Sequence, residues 1–529
     1  MGVDHHDALV LLALLAAIAA LLALAPFVRV PYPILLVLGG LAAGFAPGVP
    51  ELELPPDLVL VVLLPLLLYG AAFFTSLRAL RTNIRPIGLL AIGLVLATTV
   101  AVAFVAHEVV GLPWAAAFTL GAIVSPTDPI AATAIARRLG VPRRIVAILE
   151  GESLVNDATA LVAYRVALGA VVSGSFSLWE AGLRFVLGAL GGVLVGLAVG
   201  WLVRQARRRL NDPPVEITIS LITGYFAFLP AEVLGVSGVL AAVTAGIYLG
   251  WHTPELTTAE VRLQGDAVWE IGTFVLNAVL FVLVGLQLPG ILDNLDGTSG
   301  WTLFTYAAAI GATVVGVRML WVFPSTYLPR LLSRRIRERD PYPPWQAPAL
   351  IGWAGMRGAV SLAAALALPF TTDAGDPFPG RDLVIFLAFC VILVTLVGQG
   401  LTLPLAIRLL GLEADEAGVQ EEAKARIRAA EAGLARLDEL VPEDWVREDT
   451  AERLRRMYDF RLNRFAARFD DGDDGAIEER SADYQRLRRD LLEAERRAIV
   501  ELRRVGLIGD EVMNPILRDL DLDETRLDR

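Results

Sequence analysis

An otherwise apolar segment of the chain carries four polar residues close together: Glu152, Ser153, Asn156 and Asp157. In a helix, residues four apart share a face, so Ser153 and Asp157 would point the same way. Glu152 and Asn156 would form a second pair on the adjoining face. Hard cations prefer oxygen ligands of these kinds, and a carboxylate can instead take up a proton. The stretch predicts a site for a cation and a proton, with a polar cluster that only holds helices together as the alternative.

Two prolines flank a second polar stretch, which reads Ser125-Pro126-Thr127-Asp128-Pro129 in the middle of an apolar segment. The prolines should break the helix and free backbone carbonyls, which is tolerated at membrane depth where the backbone lines a site. Half-helix ends bind ions in transporters, and Asp128 could stabilise the positive N-terminal end of the second half. A simple proline kink is the alternative.

A third apolar segment carries Arg357 near its middle, with Gly355 and Gly358 close on either side. A guanidinium buried there needs a carboxylate or helix C-terminal carbonyls as its partner. The glycines predict another broken helix or a close helix contact. Arg318 also falls in an apolar segment, but nearer one end, where its head group could reach the membrane interface.

These stretches belong to a chain whose composition is that of a membrane protein. Of its 529 residues, 55% are hydrophobic and only 19% are charged. Apolar runs of about 20 residues are typical of membrane-spanning helices, and about 13 segments are long enough to cross or nearly cross a bilayer. They cover residues 8–27, 33–47, 57–77, 86–107, 112–136, 145–173, 179–203, 215–231, 233–250, 267–288, 300–323, 346–369 and 382–410.

Clusters of arginine between the segments indicate how the chain crosses the membrane. They follow segments three, five, seven and eleven, whereas the loops after even-numbered segments are poor in arginine. By the positive-inside rule, odd-numbered segments end in the cytoplasm. We therefore expect the N-terminus outside and the C-terminus in the cytoplasm, in the cell inner (plasma) membrane. Because the arginines lie between apolar runs, no nucleic-acid partner is expected.

Few residues suit catalysis or a resident metal. The single cysteine, Cys390, lies in an apolar run, which excludes an intramolecular disulfide. The four histidines form no His-x-x-x-His pair, and none lies mid-span beside a serine and an aspartate. We expect no enzyme activity and no cofactor.

Beyond the last apolar segment the sequence becomes charged and alanine-rich, with leucines at roughly helical spacing. We assign residues 1–410 to a transmembrane domain and residues 411–529 to a cytosolic helical C-terminal domain. The second domain either supports dimerisation or regulates the first.

The two interrupted segments, five and twelve, stand seven apart in order. An odd offset makes them cross the membrane in opposite directions, as inverted repeats require. The expected fold is therefore an all-α polytopic membrane protein with about 13 transmembrane helices and two inverted repeats with crossing discontinuous helices. This architecture favours a transporter with alternating access. A cation channel is the alternative, although no Thr-Val-Gly-Tyr-Gly-type filter occurs.

Three motifs give the chain a family resemblance. They are, in chain order, Ser-Pro-Thr-Asp-Pro at 125–129, Gly-Glu-Ser-Leu-Val-Asn-Asp at 151–157 and Gly-Met-Arg-Gly-Ala-Val-Ser at 355–361. Together they resemble the motifs of bacterial sodium/proton antiporters of the monovalent cation/proton antiporter-1 family. The resemblance covers residues 8–410. It implies a secondary antiporter that exchanges Na⁺, or else Li⁺ or K⁺, for H⁺, with a role in pH and sodium homeostasis.

The resemblance also implies roles for site residues. Asp157 would carry either the cation or the proton. Ser153 and Thr127 would help Asp157 to coordinate Na⁺. Asn156 and Asp128 would support the geometry of this cation-binding site.

Further implications concern the architecture. Glu152 and Arg357 would form a structural ion pair, which is also the least costly arrangement for two charges buried in neighbouring spans. The protein would be a homodimer with an elevator-like movement of a core domain. An Asn-Asp pair implies electroneutral exchange. One departure is Tyr69, which stands on segment three where related exchangers often carry an acidic residue, and this leaves the Na⁺/K⁺ selectivity open.

Overall fold

The structure is a computed structural model that describes residues 5–28, 30–47, 54–174, 178–210, 212–295, 298–412, 416–466 and 476–527. The chain divides into two compact units, Met1–Ala414 and Asp415–Arg529. Apart from one isolated β-bridge between Thr371 and Pro377, the described residues of both units form helices and connecting turns.

The first unit contains long helices interrupted by π-helical turns and by two unwound stretches. Its first half comprises α1 (His5–Val28), α2 (Tyr32–Gly44), π1 (Leu58–Leu63), α3 (Leu64–Phe74), α4 (Leu77–Thr82), α5 (Ile84–Gly88), π2 (Leu89–Leu94), α6 (Val95–Val105), π3 (Ala106–Val110), α7 (Trp114–Val124), α8 (Pro129–Arg138), α9 (Arg143–Ser173) and α10 (Leu178–Arg207). Its second half comprises α11 (Pro213–Val233), α12 (Gly238–Leu256), α13 (Ala259–Leu286), α14 (Leu288–Asp293), α15 (Gly300–Leu332), α16 (Arg334–Arg339), α17 (Gln346–Trp353), α18 (Ala359–Leu366), α19 (Arg381–Leu393), π4 (Val394–Gln399) and α20 (Gly400–Leu410).

Seven helices among the described residues are long and apolar enough to cross a membrane. They are Ile84–Val110, Arg143–Ser173, Gly182–Arg207, Pro213–Val233, Ala259–Asp293, Gly300–Leu332 and Arg381–Leu410. Each of the other predicted segments contains one or two further helices. The polytopic all-α fold is confirmed, while the count of 13 crossings stays a prediction.

Both predicted helix breaks are confirmed. The chain leaves the helix between α7 and α8, at 125–128, and again between α17 and α18, at 354–358. The two unwound stretches meet, because the amide of Asp128 donates a hydrogen bond of 2.8 Å to the carbonyl of Met356. The broken helices therefore cross at their interruptions.

The boundary expected between the segments 215–231 and 233–250 lies slightly further along the chain. α11 continues through Pro230 to Val233, and the turn to α12 follows, with Gly235 at a φ of 72° and Ser237 capping α12. A proline within a transmembrane helix is tolerated where neighbouring groups satisfy the freed backbone. The predicted end at residue 231 was therefore slightly early.

Close packing against α12 fixes the orientation of α3. A Cβ atom added to Gly246 would lie 2.7 Å from the carbonyl oxygen of Tyr69, so the α12 backbone can approach α3 this closely only with glycine there. The Tyr69 ring lies 5.7 Å from the Trp269 ring of α13. A Cβ atom added to Gly224 of α11 would lie 3.0 Å from the Tyr69 Cβ. The Tyr69 side chain therefore faces α11 and α13, while its carbonyl faces α12.

The described residues of the second unit form four helices with polar outer faces. They are α21 (Glu416–Leu440), α22 (Glu448–Ala466), α23 (Ala476–Arg504) and α24 (Asp510–Leu527). Ion pairs join the helices, as between Arg455 and Asp438 of α22 and α21, and between Arg488 and Asp523 of α23 and α24. The role of this unit stays a prediction.

Candidate functional site

A cavity of about 260 Å³ enters the first unit beside the crossing of the broken helices. Its wall is largely apolar where α3 and α13 contribute, and polar where the first unwound stretch, α9 and α18 meet. Among its lining residues are Thr127, Asp128, Ser153, Asp157 and Ser361. The structure thus brings together four of the five predicted cation-binding residues, Asn156 being the exception.

Asp157 and Ser153 lie one turn apart on α9, on the face that lines the cavity. They are 8% and 7% exposed, respectively. Within the described part of the chain, no side-chain hydrogen bond or ion pair engages either residue. A buried carboxylate and hydroxyl without protein partners retain their oxygen lone pairs for a cation or a proton.

A hydrogen-bond chain holds Thr127 beside α9. Its hydroxyl donates to Oε1 of Glu152 at 3.0 Å, and Nδ2 of Asn156 donates to that hydroxyl at 2.9 Å and to the Thr127 carbonyl at 3.3 Å. Asn156 therefore holds the unwound stretch in place through Thr127. Its side chain is not among those lining the cavity. Its predicted supporting role fits this geometry better than a role as a direct ligand.

Asp128 caps the second half of the first broken helix. Its Oδ1 accepts a hydrogen bond of 2.9 Å from the amide of Ile130, at the start of α8. The helix N-terminus carries partial positive charge, which stabilises the carboxylate. A Cβ atom added to Gly358, in the second unwound stretch, would lie 2.7 Å from both Cβ and Cγ of Asp128. Only glycine fits at this position.

The predicted ion pair between Glu152 and Arg357 is wrong. Glu152 pairs with Arg318, whose Nη1 and Nη2 donate to Oε1 and Oε2 at 2.5 and 2.9 Å. The Arg318 and Glu152 side chains are 0% and 2% exposed, respectively. Two parallel bonds of this kind give a strong, geometrically specific pair.

Arg318 was misjudged because the predicted segment, 300–323, ended too early. α15 continues through Pro324 to Leu332, which places Arg318 well inside the helix and away from the interface. Arg318 Nε and Nη2 also donate to the carbonyl of Ile351, at 3.2 and 3.0 Å. The signal available in the sequence was the rarity of arginine inside apolar segments.

Arg357 instead satisfies carbonyls at the end of a half-helix. Its Nε donates to the carbonyl of Val124, the last residue of α7, at 3.1 Å, and its Nη1 donates to the carbonyl of Gly355. Its own amide donates to Thr395 of π4 at 3.1 Å. Carbonyls at a helix C-terminus carry partial negative charge, so they take the place of the expected carboxylate.

α3 contributes no ionisable side chain to the cavity. Its side of the wall is formed by Leu64, Leu67, Leu68, Ala71, Phe74 and Thr75. Tyr69 faces the Trp269 ring and does not line the cavity. The acidic ligand whose absence the sequence suggested is therefore not replaced by a tyrosine hydroxyl.

Comparison with known families accounts for this arrangement. The model of the family described as "Sodium/hydrogen exchanger, transmembrane" matches residues 10–408. The chain belongs to this family. Its members are transporters rather than enzymes, and the match spans both broken helices and α9 of this exchanger.

Individual relatives are also named as exchangers or antiporters. The exchanger is 39% identical over 525 residues to an uncharacterized Na⁺/H⁺ exchanger of Mycobacterium tuberculosis, a match that covers 98% of this chain and 96% of the relative. It is 37% identical over 410 residues to a Bacillus subtilis protein named sodium, potassium, lithium and rubidium/H⁺ antiporter, covering 75% of this chain and 60% of that protein. It is 31% identical over 520 residues to a Na⁺/H⁺ antiporter of Aphanothece halophytica, covering 97% and 95%.

A solved structure shares the fold. The sodium proton antiporter MjNhaP1 of Methanocaldococcus jannaschii superposes with a TM-score of 0.58 at 20% sequence identity, covering 76% of this chain and all of that chain. The predicted family and the predicted fold class are confirmed.

Proposed function

We propose that the protein is a secondary antiporter that exchanges Na⁺ for H⁺ around Asp157. The observation that carries this proposal is the pair of unengaged oxygen groups, Asp157 and Ser153, at a cavity beside two crossing broken helices. Membership of the exchanger family supports the same function, and so do the names of the relatives that this chain resembles.

The proposed ligands are the Asp157 carboxylate, the Ser153 hydroxyl and the oxygens of Thr127. Glu152 is already neutralised by Arg318, and Asp128 caps α8, so neither needs the ion for its charge balance. Asp157 has no such partner within the described residues. It is therefore the group whose charge a cation or a proton best compensates.

Competition for this one carboxylate couples the two fluxes. Asp157 binds either Na⁺ or H⁺, and only a loaded site changes the side to which it opens. Each form carries one positive charge against one carboxylate, so a complete cycle exchanges one ion for one proton. Exchange is therefore electroneutral.

The orientation follows from loop charge. The cavity opens on the side of Thr75, Arg137 and Glu150, which the arginine pattern assigns to the cytoplasm. This conformation faces inward, in a homodimer in the plasma membrane, with the second unit in the cytoplasm. The exchange serves pH and sodium homeostasis. Na⁺ is the proposed substrate, and Li⁺ and K⁺ are the cations to compare with it, because α3 adds no carboxylate to the cavity.

Transport by purified protein in proteoliposomes tests the proposal. An imposed Na⁺ gradient should drive opposing H⁺ movement that saturates with Na⁺ and is unchanged when valinomycin and K⁺ clamp the voltage. Asp157→Asn should fold normally and abolish exchange, whereas Asp293→Asn, a change at an exposed carboxylate at the end of α14, should leave it intact. Full Na⁺/H⁺ exchange by Asp157→Asn would overturn the proposal. Na⁺ current without proton movement would favour a channel.

A further inference from the structure

Asp157 also borders a second, much smaller cavity on the other side of the crossing. This cavity has a volume of about 10 Å³, against about 260 Å³ for the first. Asp157, Ser361 and Tyr164 are among its lining residues. The Tyr164 hydroxyl is buried and has no hydrogen-bond partner within the described part of the chain. The site is therefore open on one side and closed on the side of Tyr164.

An ion pair lies at this closed side. Nη2 of Arg165 contacts Oε2 of Glu232 at 2.7 Å. Arg165 follows Asp157 by eight residues on α9, about 12 Å along the helix axis. Glu232 lies in the last turn of α11, and its Oε1 also accepts a hydrogen bond of 3.1 Å from the amide of Gly238, at the start of α12. The pair joins the helix that carries the site to the turn between α11 and α12.

The location of this pair restricts how Asp157 can open towards the Tyr164 side. Alternating access requires the closed side to open when the first cavity closes, by movement of one group of helices against another. Glu232 is fixed to the α11–α12 turn by Gly238, so displacement of α9 against that turn separates it from Arg165. The two side chains are 53% and 29% exposed, and water can replace the lost contact. Such a pair favours the closed form by a small free energy and can break in each transport cycle.

We propose that the ion pair between Arg165 and Glu232 is a latch that keeps the site closed on the Tyr164 side and breaks each time Asp157 opens to that side. This inference rests on the proposed alternating access at Asp157. Arg165 and Glu232 act as positioning residues and do not contact the transported ion.

Thiol labelling measures this opening without requiring transport. Ala160, which is buried and lines the small cavity, is changed to cysteine in a Cys390→Ala background that removes the single native thiol. A membrane-impermeant maleimide is added from the Tyr164 side of the full-length protein in vesicles. Glu232→Gln should raise the labelling rate about two- to fivefold, as expected for the loss of a partly exposed ion pair. Glu255→Gln, at an exposed glutamate of α12, is the matched control and should not change it.

A second variant separates the latch from the local turn. Arg165→Gln leaves the bond between Glu232 and the Gly238 amide in place, so the latch predicts the same increase in labelling. High choline chloride should screen the pair and raise labelling of the protein with both charges, but not of either variant. If only Glu232→Gln increases labelling, or if neither variant does, the latch is wrong. If the native protein showed no Na⁺/H⁺ exchange, the proposed function would be wrong. The labelling result would be unaffected, because labelling does not depend on exchange.

Discussion

Both terminal nitrogens of Arg318 contact the carboxylate of Glu152, at 2.5 and 2.9 Å, in a pair from which solvent is nearly excluded. The same Glu152 accepts a hydrogen bond from Thr127, a proposed ligand of the ion. The pair therefore joins α15 to the unwound stretch through α9, and it sets the position of Thr127 without contacting the ion.

The stability of this pair can be measured by a double-mutant cycle. Arg318→Met or Glu152→Gln alone leaves the other partner buried without its counterpart and should cost about 3–5 kcal/mol. The double variant should recover much of that loss. We expect melting temperatures in detergent to show strong coupling for Glu152 with Arg318 and nearly additive losses for Glu152 with Arg357. The reverse result would restore the pairing expected from the sequence.

Loss of the Ser153 hydroxyl should weaken cation binding while leaving the carrier carboxylate in place. Ser153→Ala removes one oxygen ligand, and we expect the KM for Na⁺ to rise about tenfold, which corresponds to about 1.4 kcal/mol. Ser325→Ala, at a hydroxyl on α15 that donates a hydrogen bond to the carbonyl of Val322, is the control. A KM for Na⁺ that matches the native value in proteoliposomes would exclude Ser153 as a ligand.

A methyl group at Gly358 should disturb the crossing. Gly358→Ala places a carbon against the Asp128 side chain, so we expect lost exchange and a lower melting temperature. Gly316→Ala is the matched control, because nothing lies within 4 Å of its added Cβ and alanine is favoured over glycine in a helix. Wild-type exchange by Gly358→Ala would show that the crossing is looser than its geometry indicates.

Asp340 should make stability depend on pH in the acid range. It accepts hydrogen bonds from Arg85, Arg144 and Arg330, at 2.6 to 2.7 Å, in a loop between spans. Burial acts to raise the pKa of Asp340, but the hydrogen bonds and charges of Arg144 and Arg330 outweigh it and hold that pKa below its ordinary value.

A lowered pKa contributes stability that is fully present above the ordinary carboxylate value of about 3.9 and is lost as the pH falls through the folded value. Asp340→Asn should therefore lower the melting temperature at pH 7, and its difference from the native protein should shrink below about pH 4. Asp373→Asn, at an exposed loop residue, should have no such effect. A difference between Asp340→Asn and native protein that is constant from pH 7 to pH 3 would contradict the assignment.

Removal of the second unit should leave exchange possible. The proposed ion ligands all belong to the first unit, so truncation after about residue 415 should retain Na⁺/H⁺ exchange with altered pH dependence or expression. A truncated protein that is folded and inserted but inactive at every pH would show that the second unit is required for the cycle.

The parts of the site that could be predicted from sequence are those set by local chemistry. Pro126 and Pro129 stand three residues apart, and proline lacks an amide donor and clashes with the preceding turn. Two such residues close together end one helix before Pro126 and begin the next at Pro129, whereas the single Pro230 is accommodated within α11. Asp128 precedes the new helix at the position where a carboxylate caps it. Helical spacing alone places Ser153 and Asp157 on one face.

The partner of Glu152 could not be obtained in this way. Choosing between Arg318 and Arg357 depends on which helices pack side by side, and sequence spacing carries no such information. The predicted segment that contains Arg318 stopped directly before Pro324, although α15 continues through it. Helix C-terminal carbonyls were one of the two partners expected for Arg357, and the carbonyl of Val124 fills that role. The sequence alone could not decide between them and a carboxylate, because that choice also depends on which helix end lies beside Arg357.

The hydrogen bond from the Asp128 amide to the Met356 carbonyl has a mechanical consequence. If either broken helix moved alone, it would leave an amide and a carbonyl unsatisfied at membrane depth, at a cost of several kcal/mol. The two halves of the membrane unit are thus fastened at their midpoints, and a displacement that begins in one is transmitted to the other. We therefore expect the crossing to move as one rigid unit, and the flexibility that transport needs to come from the helices around it.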